Sequence, residues 1–279
     1  MLLVPVGANN FGLSQPSWGT TRPAAANGTS VTPGSGAYGS YASVITALTD
    51  DCYGLMVNIN SNAGSTASRN TLVKIGVDTS GGTSYVDLIP DLICGGAAPY
   101  NVSGGGVWYY FPIFIPAGSR IGAAARGSVT TAIRVGMMAM ERPANPSMIR
   151  KGSFVESIGI SGNTGTSVTS GTTSEGAWTL LGATTLRTWW WQVGMQIATT
   201  DTSWNTNSIH VDLAVGDASN KDIIIMDANF TTTTNEQLVN PPLTAGVEWD
   251  VPAGTNVYVR AQCSGTADPY EIGAYALGG

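Results

Sequence analysis

Ile115-Pro116-Ala117-Gly118-Ser119-Arg120-Ile121 returns near the end of the chain as Val251-Pro252-Ala253-Gly254-Thr255-Asn256-Val257. In both places an apolar run stops at Pro-Ala-Gly and a new apolar alternation begins. Proline fixes φ and glycine admits φ > 0, so the phrase predicts a corner between two strands. Neighbouring segments repeat at almost the same spacing. Val73 to Val77 parallels Val211 to Val215, Val57 to Ile59 parallels Met195 to Ile197, and Arg134 to Met140 parallels Glu271 to Leu277. Collinear matches at offsets of 136 to 138 predict a duplicated domain, and the period is too long for a solenoid repeat.

Around these phrases, 279 residues accommodate two domains of ordinary size. Glycine is abundant (36 residues), Ser and Thr dominate the polar positions, and strong helix formers are scarce, which points to an all-β chain rich in turns. About seven short alternating runs per half predict two tandem, duplicated β-sandwiches of jelly-roll or Ig-like type. The expected layout is an extended N-terminal arm over 1–40, a first β-sandwich over 41–142, a Pro/Gly/Ser/Thr-rich linker over 143–176 and a second β-sandwich over 177–279. Val107 to Ile115 is apolar on both faces. It predicts a strand covered on two sides, with Pro112 favouring an edge.

Charged residues are only 11% of the chain, against about 25% in typical soluble proteins. Seven basic and six acidic residues leave 1–142 nearly neutral; five and twelve make 143–279 acidic. Neither half has the basic patch that nucleic-acid binding needs, and no apolar run is long enough to span a membrane as a helix. Cys52, Cys94 and Cys263 share no metal-site or redox spacing and are read as free packing thiols.

Chemistry is sparse. His210 is the single histidine and sits on the polar face of a predicted strand with no nucleophile motif beside it. Paired carboxylates for glycoside hydrolysis would have to come from Asp50 and Asp51, Asp87 and Asp91, or Asp212, Asp217, Asp222 and Asp227. Lys74 occupies the duplicated position of Asp212, so no acidic site is expected to be shared between the halves. The expectation is a chain without catalytic, metal or cofactor residues. Trp189, Trp191, Val193, Met195 and Ile197 are expected to face inward. That leaves Trp190 on the other face, and Trp190, Trp204 and Trp249 as exposed aromatics able to anchor an interface or stack on sugar.

The phrase from Tyr110 to Ile121, its echo from Val251 to Thr255 and the apolar Gly/Pro-rich start resemble structural proteins of tailed bacteriophages, of the capsid decoration (cement) or fibre type. The resemblance carries no functional residue across. It implies a non-enzymatic virion component, assembled in the host cytoplasm, that forms a homo-oligomer, most simply a trimer. It would contact other virion proteins such as the major capsid protein, and stabilise the shell, through its arm and first domain, with Val4, Val6, Phe11 and Trp18 as assembly residues. The alternative is a fibre or adhesin that binds host glycan.

Overall fold

A computed structural model describes residues 12–14, 28–61, 71–93, 107–127, 130, 132–141, 150–197, 207–233, 236–240, 246–265 and 269–279. Every element in them is a strand. The first half contributes β1 (Gly12–Ser14), β2 (Thr29–Val31), β3 (Gly34–Ser35), β4 (Ala42–Ile45), β5 (Cys52–Ser61), β6 (Thr71–Asp78), β7 (Val86–Ile93), β8 (Val107–Phe111), β9 (Arg120–Gly127) and β10 (Ile133–Glu141). The second contributes β11 (Phe154–Ile158), β12 (Ile160–Ser161), β13 (Thr164–Thr169), β14 (Thr179–Ala183), β15 (Thr188–Ile197), β16 (Asn207–Gly216), β17 (Lys221–Thr233), β18 (Glu236–Asn240), β19 (Val247–Val251), β20 (Asn256–Cys263) and β21 (Pro269–Gly278).

Pairing resolves the sandwich type. One sheet of the first half runs β2-β10-β5-β8 and the other β4-β9-β6-β7, with β1 added on β10 and β3 on β9. The second half repeats this as β13-β21-β15-β19 and β14-β20-β16-β17, with β11 added on β21. Counting the eight shared strands of each half in chain order gives sheets 1-8-3-6 and 2-7-4-5. That is the jelly roll, and the Ig-like alternative, whose sheets run ABED and CFG, falls.

Duplication extends to single hydrogen bonds. Gly39 N–H donates to Ala125 C=O at 2.9 Å, as Gly176 does to Ala261 at 2.9 Å. The Pro-Ala-Gly corner crosses from one sheet to the other in both copies. Gly118 and Gly254 both have φ +78, and a Cβ there would meet nothing within 4 Å. Glycine is therefore required by the dihedral alone. Gly118 N–H is received by Leu48 C=O, and Gly254 N–H by Thr184 C=O.

Two expected boundaries change. The segment 143–176 is not a linker in its described part, because β11, β12 and β13 are strands of the second sandwich. Likewise 28–35, assigned to the arm, supplies β2 and β3 to the first. Low apolar content hides these strands: an edge strand that covers one side of a sheet needs few buried side chains.

The halves share a core. Val155, Trp189, Trp190, Tyr275 and Leu277 of the second half lie in the same buried cluster as Leu55, Ile89, Leu92, Tyr109 and Phe111 of the first. The outer face of the β21-β15 sheet covers the edge strands β7 and β8. Tyr275 enters this seam edge-on to the ring of Tyr109, with centroids 5.3 Å apart. Its hydroxyl accepts from Ile93 N–H at 2.6 Å and donates to Asp91 C=O at 2.9 Å, satisfying backbone groups of a sheet edge. Gly194 leaves room for both rings; a Cβ there would stand 2.9 Å from Tyr275 and 3.0 Å from the Tyr109 hydroxyl. The double-faced apolar run at β8 is thus an edge strand with a second surface laid over it.

Candidate functional site

The same backbone irregularity occurs in both halves. Between β6 and β7 the register jumps from Val73↔Leu92 to Ile75↔Ile89, leaving Pro90 and Asp91 opposite Lys74. Between β16 and β17 it jumps from Val211↔Ala228 to Leu213↔Ile225, leaving Met226 and Asp227 opposite Asp212. Asp91 has φ +49 and Asp227 φ +51, the two non-glycine residues with positive φ among those described. Asp tolerates that region better than most L-residues, and bulges of this kind re-aim side chains. Contrary to the expectation from Lys74, an acidic position is shared between the halves. It is the bulge aspartate, Asp91 in one copy and Asp227 in the other.

In the second half this bulge gathers a compact charged group on the outer face of the sheet. Asp212 is 3% exposed. Its Oδ1 accepts Asp227 N–H at 2.7 Å, and its Oδ2 accepts Arg260 Nε and Nη2 at 3.0 and 2.8 Å. Arg260 Nη1 reaches Glu175 Oε2 at 2.5 Å, and its guanidinium lies 4.4 Å from the centroid of the Trp178 ring. Gly171 and Gly176 bend the chain so that Glu175 comes over the sheet; a Cβ on Gly171 would stand 1.9 Å from Ser174 C=O. Lost hydration, then the hydrogen bond to Asp212 and its negative charge, hold the Glu175 carboxyl above the usual carboxylate range. Glu175 and Asp227 are exposed.

Glu175, Asp212 and Asp227 present carboxylate oxygens within 4.8 Å of one another, a spacing compatible with a cation. Arg260 already supplies a positive charge to two of the three. The group is therefore an ion-pair cluster centred on Arg260 rather than a metal cage.

In the first half the same place is wired differently. Asp91 accepts from Tyr38 O–H, from Arg126 Nη2 at 2.9 Å and from Ser157 Oγ at 3.2 Å, so it is tied to β11 of the other half. Lys74 Nζ holds both oxygens of Asp87 at 3.0 Å.

The residues expected to carry function fare unevenly. Val4, Val6, Phe11, Trp18 and Trp204 lie outside the described residues. Trp190 is not an exposed binding aromatic. It is 7% exposed, edge-on to Tyr110 at 5.9 Å, and covers Gly246, where a Cβ would stand 1.8 Å from its ring. A bulge between Thr188 and Trp190 also moves Trp189 out of the second core into the shared seam. Trp249 is exposed (45%), and its C=O accepts Trp191 Nε1 at 3.0 Å. Asp51 caps Ala117 N–H at the Pro-Ala-Gly corner, and Asp217 caps its own turn at Ser219 and Asn220. His210 is half-buried on β16. Glu175 escapes a reading of the sequence because it sits in a Gly/Ser/Thr stretch. Its alignment with Tyr38, at offset 137 between Gly34/Gly39 and Gly171/Gly176, is the one signal that marks it.

The molecule is a two-domain jelly-roll protein with a carboxylate–arginine cluster on its second domain. No protein-family model and no curated protein matches the sequence. Among solved structures, the chain is similar to PNGase F, a glycosylasparaginase from Flavobacterium meningosepticum, at 10% identity over 90% of this chain and 93% of that one, with TM-score 0.37. It is similar to the CBM22-1–CBM22-2 tandem domain of Paenibacillus barcinonensis Xyn10C at 13% identity over 85% and 82%, with TM-score 0.23. It is also similar to a protein of the IBDV viral particle at 11% identity over 84% and 56%, with TM-score 0.27. At these scores the likenesses say nothing of what this chain acts on. The expectation of a non-enzymatic shell-decorating protein, with a glycan-binding adhesin as its alternative, is nevertheless corrected. Amidase structures stand among the similar ones, and the fold is no ground for excluding catalysis.

Proposed function

We propose that the second domain is a hydrolase of the acid–base type that cleaves glycosidic bonds. One observation carries the reading: Glu175, its carboxyl held above the usual carboxylate range by lost hydration and by Asp212 against the pull of Arg260, stands with exposed Asp227 at the buried Asp212–Arg260 pair. Carboxyl groups whose environments differ in this way divide into acid and base. Their oxygens lie within 4.8 Å of one another. This closeness is compatible with the roughly 5–5.5 Å carboxyl separation of double-displacement enzymes.

Glu175 gives its proton to the leaving oxygen as the C–O bond breaks, and an Asp227 oxygen bonds to the anomeric carbon. Water then attacks the glycosyl ester, losing its proton to Glu175 and releasing Asp227. Asp212 and Arg260 touch no substrate in this scheme; they position Glu175. Incubation with soluble polysaccharides should release reducing ends. Glu175→Gln should lower the rate by about 10²–10⁴-fold with the fold intact by circular dichroism. A Glu175→Gln/Asp227→Asn protein as active as the parent sinks the assignment.

Carriage on a bacteriophage particle, as a homo-oligomer in contact with other virion proteins, remains part of the proposal. The resemblance of residues 110–121 and their echo supports it. Mass spectrometry of purified particles tests it: absence of the chain from them removes that part alone.

A further inference from the structure

The outer face of the β4-β9-β6-β7 sheet carries an arrangement the duplicated half does without. Gly122 of β9 and Gly76 of β6 pair with each other and form a floor free of side chains. Tyr41, from before β4, and Tyr85, from before β7, reach over this floor from opposite edges of the sheet and meet at its middle. A Cβ on Gly76 would stand 2.6 Å from the Tyr41 ring, and one on Gly122 2.8 Å from the Tyr85 ring. The rings therefore rest on bare backbone. Their centroids are 4.9 Å apart with planes inclined by 29°, and both residues remain half-buried rather than covered.

Polar groups are fixed beside them. Tyr41 O–H donates to Asp87 Oδ1 at 2.5 Å, and Lys74 Nζ holds both Asp87 oxygens and lies 5.0 Å from the Tyr41 centroid. The Asp87 side chain is largely open to water. It therefore has lone pairs to offer. In the second half the corresponding floor is filled. Tyr258 stands where Gly122 does and Ala214 where Gly76 does, and Lys221 covers the Tyr258 ring at 4.6 Å. A jelly roll of this pattern thus has no packing need for bare glycines under two tyrosines.

We propose that this tyrosine face binds a pyranose unit of a polysaccharide. The apolar C–H face of the sugar stacks on Tyr85, which Tyr41 backs from beneath, and Asp87 accepts sugar hydroxyls. An aromatic ring beside an exposed acceptor matches a sugar with one apolar face and equatorial hydroxyls. The inference does not depend on the hydrolase reading, since binding here needs neither Glu175 nor Asp227.

The test uses the full chain carrying Glu175→Gln and Asp227→Asn, titrated by calorimetry with hexasaccharides of β-linked glucose, xylose and N-acetylglucosamine. Saturable binding to at least one probe is expected, weakened about tenfold or more by Tyr85→Ala and by Asp87→Asn. Tyr85 lies in a loop outside the core cluster, so its removal leaves the fold to report on the site. No binding by any probe, or binding indifferent to both changes, overturns the proposal. Neither outcome touches the polysaccharide-cleavage assay, so failure of one reading is distinguishable from failure of the other.

Discussion

At the bulge of β7 an aspartate at φ +49 faces a lysine; at the bulge of β17 an aspartate at φ +51 faces a buried aspartate. The backbone device is one and the same, and the opposite charge across the strand decides what it becomes. In the first half Asp91 is held by Tyr38, Arg126 and Ser157 and helps to fasten the two domains. In the second, Asp212 draws Arg260 down onto the sheet, Arg260 draws in Glu175, and Asp227 stays exposed. Duplication preserved the scaffold and freed one copy's aspartate from structural duty. Catalytic chemistry is expected in the copy whose bulge is not an interface.

Removing the arginine from each copy puts that contrast under the greatest strain. Arg260→Met leaves Asp212 buried without its cation and should cost about 3–5 kcal/mol in urea unfolding. Arg126→Met should cost about 1–2 kcal/mol, because Asp91 keeps Tyr38 and Ser157. Equal costs would mean that the two bulges are energetically alike. Next, Tyr275→Phe removes one hydroxyl and strands Ile93 N–H at the seam. A loss of about 1–3 kcal/mol is expected, with both halves unfolding in one transition. Two separated transitions in the parent protein would show that the seam does not couple the domains.

Smaller still, Gly118→Ala and Gly254→Ala should each cost about 1 kcal/mol, since positive φ is strained for alanine. Space is free at both sites, so the dihedral is the whole of the cost. Unequal values would show that the repeated corner is not energetically conserved between copies. The smallest effect concerns pH. The folded pKa of Glu175 lies above its unfolded value near 4.5. Its contribution to stability is therefore fully present below that unfolded value and lost as pH rises through the raised one. Relative to Glu175→Gln in thermal unfolding, the parent should lose stability across this interval and run parallel to the variant on either side of it. A parent curve parallel to the variant throughout removes the claim that Glu175 is perturbed.

Much of the architecture is legible in the residues. Pro116-Ala117-Gly118 and Pro252-Ala253-Gly254 announce a corner because only certain residues adopt its dihedrals, and that demand is local. The alternation places Trp190 correctly on the face opposite Trp191, yet the inference that this face is open is wrong. Trp190 meets Tyr110, a residue 80 positions away, and nothing near it in the chain announces that contact. Glu175 shows the same limit. It lies in a stretch that reads as a linker, and it acquires a role only because glycine turns bring it over β16 and β20.

An all-β chain, its duplication and the corner that each copy turns follow from residue order alone, because backbone dihedrals and period-two burial are properties of neighbouring residues. Tertiary packing was needed to choose between jelly roll and immunoglobulin order, to bury Trp190 in a shared seam, and to set Glu175, Asp212, Asp227 and Arg260 together. Those outcomes depend on which strands lie side by side and which face of one domain covers the other. Long-range pairing of that kind is fixed by the packing of the whole chain, and no local pattern encodes it.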